Sequence, residues 1–384
     1  MTILSSHASF CFLFIDFIHL VEHGFRYFVS ELRLFGNTLM PPLQTTSSPT
    51  TNTPTNTRIV NGEGLIDASL QRDIQSWWIP SEFHQLDAGK YDGFCTAVSN
   101  NGVHVVHEYQ NRTVRKFGIT PENICVLSMA RITNQSWAFS QFRKIEGSWL
   151  FFKPEHTEFD VRMPGDVELT YICLPQDRLM DALRALNPAH WERAPRELSA
   201  FSTPYSDAFC SGLLSITDHR EGIDPNRLAP GSPVQSTLMD TILLALNRST
   251  EVQAENIPAF NSRLRSFRLV NRACEFIGAC LAAHKVPSMV DLCTQCETPE
   301  RTLQYCFLRE LGVTPMAYLR TVRLNRVRAA LLSAEPPHRT ITQIATDFGF
   351  VHLSRFAAHY KNMFGELPSE TLARSQPRPI AILF

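Results

Sequence analysis

The chain has 384 residues, 44% hydrophobic and 19% charged, with a formal net charge of −1; this excludes fibrous, collagenous and wholly disordered classes and fits about two globular domains. The near-neutral total conceals a division. From Arg263 to the C-terminus 16 Lys and Arg stand against 9 Asp and Glu, a balance of +7, so the preceding residues carry −8. A basic module of that kind meets a polyanion, and the acidic remainder has another task.

Residues 1–57 are read as an extension and a disordered tract. The apolar run from Ala8 to Val21 is about 14 residues long and includes Asp16 and His19. It falls short of the roughly 20 apolar residues of a membrane span and lacks a basic leading segment and a small-residue cleavage site, so neither anchor nor export signal is expected. Residues 41–57 (PPLQTTSSPTTNTPTNT) show no apolar periodicity and cannot bury enough surface to offset their ordering. Met40 directly precedes that tract. Residues 1–39 therefore admit two readings: sequence upstream of the functional start codon, or a short amphipathic helix with a separate partner. The ten cysteines (Cys11, Cys95, Cys125, Cys173, Cys210, Cys274, Cys280, Cys293, Cys296 and Cys306) are scattered, which points to reduced thiols in a cytoplasmic protein and not to a disulfide framework.

Residues 58–175 read as a β domain. The runs 102–109, 125–129, 148–152 and 167–174 are rich in β-branched and aromatic residues and are separated by turn signals such as Asn100-Asn-Gly102, Thr120-Pro-Glu122 and Met163-Pro-Gly165. Short strands so punctuated predict an antiparallel sandwich or barrel, whose interior is a natural small-molecule cavity. Trp137, Phe139, Phe142, Trp149, Phe151 and Phe152 are expected in the core more readily than lining a ligand. Residues 176–262 turn helical: Leu179, Met180, Leu183 and Leu186 form one stripe, and Leu238, Ile242, Ala245 and Leu246 another. Burial within the chain is the expected fate of such a stripe, with pairing to a second copy as the alternative. Residues 223–233 read as a loop.

Residues 263–375 carry two similar helix–turn–helix patterns joined by one long helix. Ser288 caps a helix bearing Val290, Leu292 and Cys293, which turns at Cys296-Glu297. Thr298 is expected to cap the next, with Pro299 at its first position, where a missing N–H costs nothing. Burying Leu303 and Phe307 turns Arg301, Gln304, Tyr305 and Arg309 outward. Gly312 stops this helix and Thr314-Pro315 starts the long one. Its apolar face runs through Tyr318, Leu319, Val322, Leu324, Val327, Leu331 and Leu332, while Arg320, Arg323, Arg326 and Arg328 supply positive charge. Its length of roughly 28 Å approaches the ~34 Å of a DNA turn, which suits two recognition helices in successive major grooves. The second pattern opens on the capping-box spacing Thr340-Ile-Thr-Gln343 and turns at Asp347-Phe-Gly-Phe350. It continues as a helix from about His352 to Met363, with His352, Arg355, Ala358, His359 and Lys361 facing a partner.

The ordered set Arg301-Thr-Leu-Gln-Tyr-Cys-Phe307, Leu311-Gly-Val-Thr-Pro315, Tyr318-Leu-Arg320, Arg323-Leu-Asn-Arg-Val-Arg328, Phe348-Gly-Phe350, Ser354-Arg-Phe356 and Phe364-Gly-Glu-Leu-Pro-Ser369 resembles the double DNA-binding module of the AraC/XylS-type transcriptional regulators. The segment 349–371 is most similar to the subgroup that includes the ethanolamine operon regulator. The resemblance covers about residues 270–372. It implies an α+β protein: an N-terminal cupin-like antiparallel β-barrel that senses a small-molecule effector, an intervening helix used in homodimers, and an all-α C-terminal domain of two helix-turn-helix motifs. It also implies double-stranded DNA and RNA polymerase as partners, and neither cofactor, metal nor enzymatic activity. Carried over residue by residue, Arg301, Gln304 and Tyr305 match groove-facing positions of the first recognition helix, and His352, Arg355 and Ala358 those of the second; Arg309 and Lys361 are placed near phosphate. Arg and Gln are the side chains that make bidentate bonds to guanine and adenine, whereas Ala358 can at most touch a thymine methyl. Two departures stand out. Glu297 occupies a turn position where glycine is frequent, and Val351 has no oxygen with which to cap the second recognition helix.

Other chemistry weighs less. Cys293-x-x-Cys296 lacks the further ligands of a zinc site and reads as packing. His104, His107 and Glu108 resemble the metal-binding strand of cupin enzymes, but alternation puts 104 and 107 on opposite faces. A cupin-like metal-dependent enzyme with a helical tail is kept as one alternative, and a constitutive DNA-binding protein without ligand as another.

Overall fold

Antiparallel strands whose side chains alternate between two faces build the N-terminal body. The computed structural model describes residues 57–76, 78–132, 138–139, 142–143, 149–218, 224–251, 257–333, 339–374 and 381–383, so the readings of residues 1–39 and 41–56, and of Trp137, lie outside it. The strands are β1 (Thr57–Leu65), β2 (Ser81–Gln85), β3 (Gly93–Asn100), β4 (Val103–Gln110), β5 (Val114–Ile119), β6 (Ile124–Ile132), β7 (Ala138–Phe139), β8 (Phe142–Arg143), β9 (Trp149–Lys153), β10 (Glu158–Met163), β11 (Val167–Pro175), β12 (Ser199–Ser202), β13 (Thr250–Glu251) and β14 (Ala381–Leu383), with helix α1 (Ala68–Gln75) after β1. One sheet runs β13-β12-β9-β6-β11-β4-β3-β1-β14 and the other β2-β5-β10-β7-β8, with neighbours antiparallel, as in β11 between β4 and β6. The antiparallel body expected from the turn signals is present, but its two sheets face each other without closing into a barrel. Asn101 (φ 48°) and Gly102 (φ 80°) join β3 to β4. Positive φ at both central residues is what a two-residue hairpin turn requires, hence Asn-Gly.

The large sheet is buried on both faces. Val60, Ala97, Val106, Val126, Phe151 and Tyr171 look into the space between the sheets, toward Phe83, Phe159, Val161 and Met163 of the small sheet. Val98, Val105, Leu127, Leu150, Phe152 and Ile172 pack on the other side, against α2 (Gln176–Leu186), α3 (Ser206–Thr217) and α4 (Pro233–Asn247). The stripe Leu238, Ile242, Ala245 and Leu246 is buried there, within the chain. Leu186 departs from its predicted stripe: it is the last residue of α2 and stands 61% exposed. The 223–233 loop holds a short 3-10 turn at Pro225–Leu228.

The C-terminal helices are α5 (Ile257–Ala282), α6 (Met289–Gln295), α7 (Glu300–Leu311), α8 (Pro315–Leu332), α9 (Ile341–Asp347), α10 (Leu353–Phe364) and α11 (Pro368–Ala373). Local chemistry sets most of their ends. Ser288 with Asp291 and Thr340 with Gln343 form capping boxes, Thr314 caps α8 with proline in its first turn, and Gly312 and Gly365 end α7 and α10 in the left-handed conformation. The expected cap at Thr298 is corrected. Pro299 itself is the N-cap, with no side-chain bond, and the helix starts at Glu300; Thr298 instead gives its backbone N–H to the Cys293 carbonyl, at 3.1 Å, closing the preceding turn.

One polar stripe of α8 joins the helices to the small sheet. Tyr318, Asn325 and Arg328 are spaced by seven and three residues, which places them along one helix face over about 15 Å. Tyr318 meets Arg115, which is bonded to Asp160 at 2.9 Å. The Asn325 amide pairs with the backbone of Gln85 as a strand would, accepting from its N–H and donating to its carbonyl, each at 3.0 Å. Arg328, its side chain 3% exposed, donates to Asp67, to Glu366 at 2.7 Å and to the Ile66 carbonyl at 2.9 Å. Asp67 also caps α1 by accepting from Ser69 N–H.

Burial also sets a pH dependence. His84 lies beneath this interface, against the Phe117 ring. Burial, then the charges of Arg115, Arg326 and Arg72, hold its imidazole well below its ordinary range. His104 is lowered by burial to about 4. Both are bound neutral in the fold, while the unfolded chain takes up protons below about pH 6.5. Stability is therefore full above that value and declines as pH falls toward 4. Thermal unfolding at pH 7.5 and pH 5 is expected to show a lower midpoint at pH 5, and His84→Gln to reduce the difference.

Candidate nucleic-acid interface

The two turns that present the recognition helices close in the same way. In the first, Glu297 N–H donates to the Thr294 carbonyl at 3.2 Å and Thr298 N–H to that of Cys293. In the second, Gly349 N–H donates to Thr346 at 2.8 Å and Phe350 N–H to Ala345 at 3.0 Å. Both turn residues are left-handed, Glu297 at φ 51° and Gly349 at φ 76°. Glu297 thus holds the conformation that glycine adopts freely, at a cost of about 1 kcal/mol, and its turn closes with the same pair of backbone bonds as the second. A side chain at Gly349 would collide with Val286. At α10 the N-cap is His352, without a side-chain bond, as the lack of an oxygen at Val351 implies.

On α7, Arg301 is exposed and Tyr305 is 62% exposed. Gln304 and Arg309 are half-buried: the Gln304 amide donates to Glu300 at 2.7 Å, and the Arg309 guanidinium pairs with Glu310 at 3.0 Å while lying over the Tyr305 ring. On α10, His352, Arg355, Ala358 and Lys361 are all exposed. Each set occupies one helix face, and α8 braces both. Tyr318, Leu319 and Val322 belong to the core of the first unit, and Leu324, Val327 and Leu331 to that of the second.

A family model described as a helix-turn-helix domain matches residues 292–374. Over 233 residues the chain is 28% identical to the XylDLEGF operon transcriptional activator of Pseudomonas putida, spanning 59% of this chain and 67% of that protein. It is 46% identical over 72 residues to the "probable thc operon regulatory protein" of Rhodococcus erythropolis, covering 19% of this chain and 22% of that one. The solved structure of a "probable AraC family transcriptional regulator" from Rhodopseudomonas palustris shares 34% identity over 29% of this chain and 99% of its own, with a TM-score of 0.27. This chain is an AraC/XylS-family transcriptional regulator.

In this AraC/XylS-family protein the four arginines of α8, expected together to supply positive charge, do not act alike. Arg328 is buried in the Asp67–Glu366 cluster. Arg323 donates to the Phe348 carbonyl at 2.6 Å and lies over the Phe350 ring, so it fastens the second turn. Arg326 is half-buried and Arg320 exposed. Arg320 lies close enough to His359 that burial, then the charges of Arg320 and Arg355, lower its imidazole pKa. Those three groups form a basic cluster across α8 and α10 that sequence spacing within either helix does not reveal.

The cupin-like trio is dispersed. His104 lies 2.9 Å from the Ser99 hydroxyl and stacks on Trp78, whereas His107 lies against Phe94 and Glu168, and Glu108 is paired with Lys116. Among the described residues no group of three His, Cys, Asp or Glu is placed to hold a metal ion, and no helix is long and apolar enough to cross a membrane. Cys293 and Cys296 pack in the first unit's core, and the nine described cysteines are free thiols.

Proposed function

We propose that this regulator is a cytoplasmic activator that reads two adjacent major-groove segments. Arg301, Gln304 and Tyr305 on α7 take the first, His352, Arg355 and Ala358 on α10 the second, and Arg309 and Lys361 contact phosphate. The observation that carries this reading is the brace. Two helices with exposed polar faces share one 18-residue rod, about 27 Å long, and that length is near one DNA turn. Activation follows the role of the Pseudomonas relative, and contact with RNA polymerase follows the family.

The same reading gives residues 58–175 to effector sensing, 176–262 to a linker with a role in homodimers, and 263–375 to DNA. The stripe on α4 is covered within the chain, so a second copy would use the outer side of these helices, where Leu186 and Leu244 stand exposed. Sedimentation velocity of Leu244→Glu against the parent tests that surface. The 349–371 string supports placement beside the ethanolamine operon regulator.

Salt dependence tests the phosphate contacts. Lys361→Ala is expected to weaken binding to specific and random duplex alike and to lower the slope of log affinity against log salt by about 1. A loss of discrimination with an unchanged slope would place Lys361 on a base instead.

A further inference from the structure

The two helix-turn-helix units have separate cores. Leu303, Phe307 and Leu319 belong to the first, and Leu331, Phe356 and Tyr360 to the second. The units share α8, and Val286 of the first lies against Gly349 of the second. Bodies joined by so little shift relative to one another unless something else holds them.

A further link comes from the N-terminal body. The segment Gln85–Lys90, at the end of β2, reaches each unit and the helix between them. The Leu86 side chain is buried in the first unit's core, the one that also holds Val270 of α5 and Leu319 of α8. The Gln85 backbone is bonded to the Asn325 amide on α8. Gly89 N–H donates at 2.9 Å to the Met363 carbonyl in the last turn of α10. That carbonyl is one of the four that a helix leaves without an internal partner, so the segment supplies part of the C-terminal cap of the second recognition helix. Lys90 lies beside Gly365, which ends the same helix: a β-carbon there would come within 2.9 Å of Lys90 Cγ.

The segment is itself firmly held. Leu86 N–H donates to the Thr113 carbonyl at 2.8 Å, and Asp87 accepts from the Thr113 N–H and hydroxyl at 2.9 and 3.0 Å. Within the segment the Gln85 amide donates to the Asp87 and Gly89 carbonyls, each at 2.8 Å. Arg112 and Asn111 donate to the Lys90 carbonyl at 3.0 and 3.3 Å. Gly89 has φ 130°, and a β-carbon there would collide with the Arg112 guanidinium; only glycine adopts such a turn without strain. The first recognition helix is met at its corresponding end. Arg162 of β10 stands beside Gly312, the left-handed residue that ends α7, where a cation faces the negative end of the helix dipole. The N-terminal body thus touches the trailing ends of both recognition helices and leaves Arg301 and His352, at their leading ends, exposed.

We propose that Gln85–Lys90 is a positioning segment for DNA recognition: it ties both helix-turn-helix units to the β2 edge of the small sheet, fixes the separation of α7 and α10, and so restricts the full chain to one spacing between its two contact segments. This rests on the two-segment reading given above and adds what sets the distance. Each inserted base pair moves one DNA segment by about 3.4 Å and turns it by about 34° relative to the other. Clamped units cannot follow that displacement and lose the contacts of one helix. Released units follow it in part, by bending about α8.

The test uses the full chain, the operator located by footprinting, and duplexes with one or two base pairs inserted between the two protected patches. The quantity read is the ratio of affinity for the operator to affinity for a lengthened duplex. In the parent, one inserted pair is expected to weaken binding at least about tenfold. Leu86→Ala withdraws the segment from the first core, and Gly89→Ala strains its turn and moves its N–H away from Met363. Each is expected to bring the ratio below about threefold, whereas Leu86→Met, which keeps the core contact, keeps the parent's ratio. Loss of folded protein lowers affinity for every duplex by the same factor and leaves the ratio unchanged, so the ratio separates positioning from stability. The two alanine variants act on different units, and either alone decides the point. The parent's ratio in these variants overturns the role of the segment. A parent that binds lengthened duplexes as well as the operator overturns the fixed separation but leaves the two-segment reading standing. Protection of a single patch, or of none, overturns that reading and the proposal with it.

Discussion

Arg328→Ala is expected to destabilise the protein by about 3–5 kcal/mol, the cost of removing one partner from a buried charge cluster. The guanidinium sits among Asp67, Glu366, Thr371 and the Ile66 carbonyl, with the Phe364 ring beneath it. Truncation would leave two carboxylates with side chains 5% exposed and open a hole the size of the side chain. Asp67 would also lose the group that orients it as the cap of α1. Urea unfolding measures the effect, and Arg320→Ala, on the exposed face of the same helix, supplies the reference, expected within about 0.5 kcal/mol of the parent. A double cycle with Asp67→Asn should return a coupling of about 1 kcal/mol or more. An Arg328 variant as stable as the Arg320 variant would mean that the cluster is solvated in solution.

The second large effect is on recognition. Arg301→Ala and Gln304→Ala are each expected to reduce discrimination between operator and random duplex by about 1–3 kcal/mol, the worth of a bidentate base contact. Gln304 carries an added condition: its amide is already bonded to Glu300 on the preceding turn, so DNA must replace that bond. Glu300→Ala should therefore free Gln304 and leave specific binding equal or tighter. Competition shift assays with specific and random duplexes read both. Equal loss on the two duplexes would assign Arg301 to phosphate.

What could be read in the sequence, and what could not, divides by distance along the chain. The ends of α6, α8 and α9 were legible because Ser288, Thr314-Pro315 and Thr340 through Gln343 act on N–H groups within four residues. The α7 start was misplaced by one residue because Thr298 and Pro299 both satisfy a cap pattern, and only the closing bond of the preceding turn selects between them. The Asn-Gly hairpin was legible for the same local reason. The sheet order was not: β1 pairs with β14 across the whole chain, and β12, from a stretch read as helical, completes the sheet beside β9. The polar stripe of α8 was hidden in a different way. Tyr318 looks apolar, Asn325 looks neutral and Arg328 looks like surface charge, because their partners Arg115, Gln85 and Asp67 lie 203, 240 and 261 residues away. The candidate DNA-facing residues were nameable from the ordered motif, whereas the basic cluster of Arg320, Arg355 and His359 needed the packing of α10 on α8.

The most direct measurement is hydroxyl-radical footprinting of the full chain on the duplex flanking its own coding region, at moderate ionic strength with bulk competitor present. Two rigidly braced recognition helices predict two protected patches on one face of the duplex, about one helical turn apart, with the Arg301→Ala protein losing contrast at one patch. Uniform protection that fades at the same competitor concentration as random DNA would contradict the account.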